Sequence, residues 1–191
     1  MYNIKELCNI LPYEFGNYKL RLASFNDIDW YIDNCMKQYF NEFIDNRFSD
    51  YPSSKLEKAF YEVIKTYVCK VDSPCEGRLI LFDKNNSSIV GGVTLFEKVL
   101  DNENIIEIAY FILPKFQGKC IAYIMLSNII YAICKSNMKF TKIAAVIRED
   151  NIKSINLIKK LNFSEYSITK GKYKNNITYL MDRAQIDDKW A

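Results

Sequence analysis

The segment that most constrains this chain runs from Glu107 to Ala122. An apolar run, Glu107-Ile-Ala-Tyr-Phe-Ile-Leu113, breaks at Pro114 and passes through Phe116-Gln117-Gly118-Lys119-Cys120-Ile121-Ala122 into a helix-forming stretch that continues to about Lys135. A strand that feeds a short loop and then a helix start builds an anion site. The first helical N–H groups have no intrahelical acceptor, and the macrodipole adds partial positive charge there. Taken alone, the same residues also describe a plain β-to-α connection.

The rest of the chain reads as alternating blocks. Leu20-Arg21-Leu22 has strand character, and Ser24 or Asp27 is placed to cap a helix starting near Ile28. Trp30, Tyr31, Cys35, Met36, Tyr39, Phe40 and Phe43 recur at helical spacing from Asp27 to about Phe48, and after a break at 49–54, Leu56, Phe60, Val63, Ile64 and Tyr67 give a second amphipathic helix. Arg78 to Lys84 and Ile89 to Val99 are strand-like runs around the turn cluster Asn85-Asn86-Ser87-Ser88, and Asp101 to Asn104 turns the chain into a strand from Ile105 to Leu113. Lys142 to Ile147 lacks polar alternation and reads as a strand buried on both faces. A helix from Asn151 to Leu161 and two short strands, around Ser167 and over Ile177 to Met181, complete the order. We expect one domain over residues 1–191, with 49% hydrophobic residues to fill its core.

Histidine is absent. This excludes Ser-His-Asp and Cys-His nucleophilic devices and any histidine-ligated metal, so no metal is expected and proton transfer falls to a carboxylate, Tyr, Lys, Cys or water. The six cysteines include no Cys-x-x-Cys pair. With no basic-then-apolar leader at the start, they fit free thiols in a reducing cytoplasm. A net charge of +3 demands neither nucleic acid nor a membrane surface, and Lys170, Lys172 and Lys174 read as a solvated hairpin. The apolar stretch Cys120 to Cys134 is too short for a membrane span and reads as a buried helix.

Two motifs in order carry a resemblance. Gln117-x-x-Cys120-x-Ala122 resembles the phosphate loop of the GNAT superfamily of acyl-CoA-dependent N-acetyltransferases, with Cys120 where a central glycine is expected. Asn151-x-x-Ser154, followed by an amphipathic helix ending in Asn162-Phe163, resembles its second signature. The resemblance spans about Lys19 to Arg183, and Leu20-Arg21-Leu22 with Gly91-Gly92-Val93 resemble the branch that acetylates N-terminal alanines of ribosomal proteins.

That resemblance implies an α/β (α+β) fold: a mixed, mostly antiparallel twisted sheet of about seven strands with helices on both faces. It implies acetyl-CoA as co-substrate, held in a V-shaped opening between the strand ending at Leu113 and the strand Lys142 to Ile147. The backbone of Phe111, Ile112 and Leu113 would pair with the pantetheine amides, and Gln117, Gly118, Lys119, Cys120, Ile121 and Ala122 would hold the pyrophosphate. Glu107 would take the amine proton, by alternation on one face with Ala109 and Phe111 unless a bulge changes the phase. Ser154 would donate to the leaving thiolate, and Asn151 would position cofactor or water while also serving as an N-cap. Tyr166 and Tyr173 are alternative acids that spacing does not select. The expected activity is acetyl transfer to a primary amine, a protein N-terminus or small molecule, by direct attack in a ternary complex in a cytoplasmic monomer or homodimer. The alternative is a non-catalytic acyl-CoA-binding regulatory or interaction module of the same fold.

Overall fold

The computed structural model describes residues 6–35, 53–68, 76–171 and 174–185. They form one eight-stranded sheet in the order β1-β2-β3-β4-β5-β6-β8-β7. A short helix α1 (Leu7–Ile10) precedes β1 (Tyr13–Phe15) and β2 (Tyr18–Leu22), and a 3-10 turn (Phe25–Asp27) leads into α2 (Ile28–Cys35). Helix α3 (Ser53–Val68) is followed by the meander β3 (Glu76–Asp83), β4 (Ile89–Leu100) and β5 (Glu103–Ile112). A 3-10 turn (Pro114–Phe116), α4 (Ile121–Lys135), β6 (Lys142–Arg148), α5 (Ile152–Lys160), β7 (Ser164–Thr169) and β8 (Asn176–Asp182) complete the order.

Every pairing is antiparallel except that of β5 with β6. For β1–β2, β3–β4 and β4–β5 the sense follows from tight turns that reverse the chain, and for β5–β6 from the α4 crossover that returns it in the same direction. The mixed sheet expected from sequence is therefore present, with one strand more than the seven anticipated. The addition is β1, which forms a hairpin with β2 closed through Gly16 at φ +51. Of the first long helix expected from Asp27 to about Phe48, Ile28–Cys35 is described as α2, and the remainder lies outside the described residues.

One face of the sheet carries the main core. Ile106, Ile108 and Ile112 of β5 and Ile143, Ala145 and Ile147 of β6 pack with Met125, Leu126, Ile129 and Ile133 of α4 and Ile155 and Ile158 of α5. The reading of β6 as buried on both faces holds over Ile143 to Ala145 and fails at Val146, which is 44% exposed beyond the point where β5 leaves it. Arg183 closes the far end of α4, donating to the carbonyls of Met138 (2.6 Å) and Cys134 (2.8 Å). Helix α2 lies on the opposite face, where Trp30 stacks on Phe111 with centroids 6.0 Å apart.

The start of α2 is tied down by charge. Arg21 donates from both terminal nitrogens to Asp27 at 2.8 and 2.9 Å, and the Ser24 N–H and hydroxyl add bonds of 2.6 and 2.8 Å. Burial pushes the Asp27 carboxyl up, but the bonds from Arg21 and Ser24 outweigh it and hold the carboxyl below its ordinary value.

Helix α5 ends in a Schellman arrangement. Asn162 adopts φ +71, its N–H bonds to Lys159 O at 3.0 Å, and the Phe163 N–H bonds to Ile158 O at 3.1 Å. This explains physically why Asn or Gly stands before that phenylalanine.

Candidate active site

The site begins where a ladder stops. Strands β5 and β6 pair only over Ile105↔Lys142, Ile106↔Ile143 and Glu107↔Ala144. Beyond that point β5 continues to pair with β4 as far as Gly91↔Ile112, and β6 with β8 as far as Arg148↔Asn176. Each strand thus keeps its outer partner while the two part from one another. The result is a wedge inside the sheet whose two edges carry backbone donors and acceptors.

Which groups face the wedge follows from alternation. The Leu113 N–H donates to Val90 O at 2.9 Å, so Leu113 and, two residues back, Phe111 direct their backbone groups to β4. Tyr110 and Ile112 therefore direct theirs toward β6. Of the three residues expected to line the rail, Ile112 faces the wedge through its backbone, and Phe111 and Leu113 support it from the β4 side. The Ile112 carbonyl is already bonded, accepting from Gln117 Nε2 at 2.9 Å. Gln117 thus pins the phosphate-type loop to the end of its strand.

The loop leads to the N-terminus of α4 at the wide end of the wedge. Gly118 has φ +76 and an open surround, and Lys119 is exposed. Cys120 is the N-cap, exposed and held at φ +58, ψ +9. It makes no side-chain cap bond, and the first intrahelical acceptor, Cys120 O, takes the Ile124 N–H at 3.1 Å. The N–H groups of Ile121, Ala122 and Tyr123 consequently have no partner within the helix. A left-handed backbone is a second reason, besides close approach, for glycine at the Cys120 position.

A second helix start follows the second diverging strand. At the beginning of α5, Asn151 Oδ1 accepts from the Ser154 N–H at 3.2 Å, so Asn151 is an N-cap and Ser154 is fixed one turn in. Facing them is a residue that sequence reasoning missed. The Tyr110 hydroxyl is buried and makes no hydrogen bond of ordinary geometry. Burial pushes it up to about 12, against a smaller downward pull from the Ser154 side chain beside it. Tyr110 is thus a neutral donor throughout the physiological range.

Glu107 lies on the other face. The β4–β5 register runs without a shift, so strict alternation holds, no bulge changes the phase, and Glu107 shares its face with Ala109 and Phe111. Its carboxylate is 16% exposed and accepts from Lys98 Nζ at 2.7 Å. Ser154 and Glu107 therefore approach the wedge from opposite sides of the sheet. Tyr166 is remote from both, its hydroxyl donating to Asp101 at the β4–β5 turn, and Tyr173 lies outside the described residues. No group of three or more potential metal ligands occurs among the described residues. No helix among them is long and apolar enough to cross a membrane.

The comparisons decide the family. A family model described as the acetyltransferase (GNAT) domain matches residues 20–164. The chain belongs to the GNAT family. No curated protein matches it by sequence, whereas solved structures share its fold. Ribosomal-protein-S5-alanine acetyltransferase from Vibrio fischeri is 18% identical, with a TM-score of 0.73 over 94% of this chain and 98% of its own. Spermidine N-acetyltransferase from Vibrio cholerae, in complex with CoA and spermine, is 17% identical, with a TM-score of 0.70 over 89% of this chain and 98% of its own. A ribosomal L7/L12 α-N-protein acetyltransferase in complex with coenzyme A is 14% identical, with a TM-score of 0.71 over 88% and 95%.

Two of the motifs that resemble the protein-N-terminus branch have structural work in this GNAT domain. Arg21 holds Asp27, as described above. A Cβ at Gly92 would meet the Phe111 ring at 2.9 Å and Leu79 O at 2.7 Å, and one at Gly91 would meet Phe111 O at 2.3 Å. The glycine pair lets β4 and the aromatic ring lie against each other without a side chain between them.

Proposed function

We propose that this GNAT domain transfers an acetyl group from acetyl-CoA to a primary amine by direct attack in a ternary complex. The observation that carries the reading is the wedge between β5 and β6, flanked by the starts of α4 and α5. Unpaired strand edges suit an extended ligand with amide groups, as in strand addition. The partnerless N–H groups at Ile121 and Ala122, with Lys119 nearby, suit a pyrophosphate.

Acetyl-CoA brings a thioester whose carbonyl an amine can attack, with the C–S bond breaking as the amide forms. The chain's own residues divide the remaining work. Glu107 accepts the amine proton, directly or through water, from the α2 face. Ser154 donates to the sulfur as negative charge develops there, and Asn151 fixes the α5 start that presents it. A cysteine acyl-enzyme is disfavoured, since the chain holds no histidine to activate a thiol, and of the free cysteines among the described residues Cys134 is buried and Cys120 lies on the loop that suits the phosphates. The acceptor is a protein N-terminus or a small amine. We read residues 1–191 as one cytoplasmic domain, a monomer or homodimer.

Calorimetry with acetyl-CoA followed by thiol release across an amine panel tests this reading. Binding with turnover supports it. Binding without turnover on any amine identifies the non-catalytic acyl-CoA module instead, and no binding removes both.

A further inference from the structure

Glu107 is half-buried, and its carboxylate is already occupied. Lys98 belongs to the neighbouring strand, where it is registered against Ile105, two residues along from the Phe96↔Glu107 pair and on the same face. Its ammonium crosses to Glu107 Oε2 at 2.7 Å and lies 5.6 Å from the centroid of the Phe96 ring. A carboxylate beside an aromatic face is a built site for a primary ammonium group. Here the protein fills that site with its own side chain.

The exposures show how firmly it is filled. The Glu107 side chain is 16% exposed and the Lys98 side chain 48% exposed. The carboxylate is thus the fixed member and the lysine the mobile one, on a four-carbon stem with solvent on one side. Pairs with one partner so open are worth little, a factor of about five at most in an equilibrium. Another alkylammonium can displace Lys98 at small cost, and the displaced ammonium returns to water.

From this we infer that Lys98 is an internal competitor for the acceptor site: it stands in for the substrate ammonium on Glu107 and Phe96 in the resting protein and is exchanged for the amine on binding. The inference rests on the proposed amine-acetylating activity. It gives Lys98 a defined consequence, a competitor present at high effective concentration that raises the acceptor concentration needed for half-saturation. Phe96 and Glu107 then recognise the charged form of the amine before Glu107 takes its proton.

The test compares wild type, Lys98→Met and Lys98→Arg at saturating acetyl-CoA, with 1,4-diaminobutane and an alanine-initiated peptide as acceptors. We expect Lys98→Met to lower the KM of the true acceptor class by roughly three- to fivefold, with kcat within about twofold, since only ground-state competition is removed. Lys98→Arg should restore the wild-type KM. A surface ion pair of purely structural role would shift the melting temperature and leave KM alone. Calorimetric titration of the same amines in the presence of coenzyme A, which lacks the acetyl group, gives a readout independent of turnover, and tighter binding to Lys98→Met is expected there too. An unchanged or raised KM in a folded Lys98→Met, with turnover intact, overturns the exchange and leaves the acetyltransferase reading standing. Amine binding that tightens in Lys98→Met without turnover in any variant retains the exchange and removes the acetyltransferase reading. Neither binding nor turnover overturns both.

Discussion

Replacing Cys120 by glycine tests the backbone reading of the loop most directly. Cys120 sits at φ +58, ψ +9 with its thiol exposed, so the substitution removes no buried contact. An L-residue in that left-handed conformation costs roughly 1–2 kcal/mol relative to glycine. Glycine in turn loses more unfolded-state freedom on folding, which returns about 0.4–1 kcal/mol of that gain. The net expectation for Cys120→Gly is a stabilisation of about 0.5–1 kcal/mol. For a chain of 191 residues that corresponds to a rise in Tm of about 1–4 °C. Cys120→Ala is the decisive control, because it deletes the thiol and keeps the Cβ in the same backbone well. Thermal unfolding without ligand should therefore rank Gly above Cys and Ala, with the latter two alike. Calorimetry with acetyl-CoA should show a modest tightening for Gly alone, since only Gly clears the Cβ from the loop proposed for the phosphates. Equal stability of the Gly and Ala variants would refute the strain argument. A clear loss of acetyl-CoA affinity in Cys120→Gly would show that the thiol packs productively against the helix start.

The proposed proton chemistry predicts that Glu107→Gln and Ser154→Ala each lower turnover by roughly 10²–10⁴ while leaving acetyl-CoA affinity nearly unchanged. Full activity of Glu107→Gln on the true acceptor would assign the base to water or another carboxylate. Asn151→Ala should cost about 1 kcal/mol through loss of the bond to the Ser154 N–H, and Asn151→Asp should keep that stability in denaturant unfolding. Asp27 gives a pH signature. Its carboxyl is held below the ordinary value, so its contribution to stability is complete above about pH 4 and disappears as the pH falls through the lower folded-state value. Acid unfolding of Asp27→Asn should lack that component, and at neutral pH the variant should be less stable by about 2 kcal/mol.

The elements of the wedge were legible in sequence because each has a local cause. Pro114 stops β5, Asn151 caps α5, and the apolar run from Ile143 marks a strand buried on both faces at its start. Strand β1, which pairs with β2 across the Gly16-Asn17 turn, was missed although Tyr13 and Phe15 alternate, since a three-residue strand carries too little alternation to stand out. Lys98 and Tyr110 were missed for a different reason. The partner of each is set by which residues strand register and helix placement bring together, and a single sequence does not encode that in any local pattern. The left-handed backbone at Cys120 was likewise hidden: the glycine expected there pointed to close approach, whereas the conformation gives a second and independent demand.

The interrupted ladder also bears on solubility. An unpaired strand edge is ordinarily a template for another chain, and proteins blunt such edges with charge, bulges or covering segments. Here the exposed backbone faces inward, between two strands joined by three residue pairs at the narrow end. To add its own sheet edge to either side, a second copy would have to bring a rigid strand in lengthwise past the starts of two helices. The Gln117 side chain further caps the last carbonyl of β5 at the wide end. A single flexible chain without neighbours of its own can still thread in. The wedge therefore favours an intruder that brings a single strand over one that brings a sheet edge.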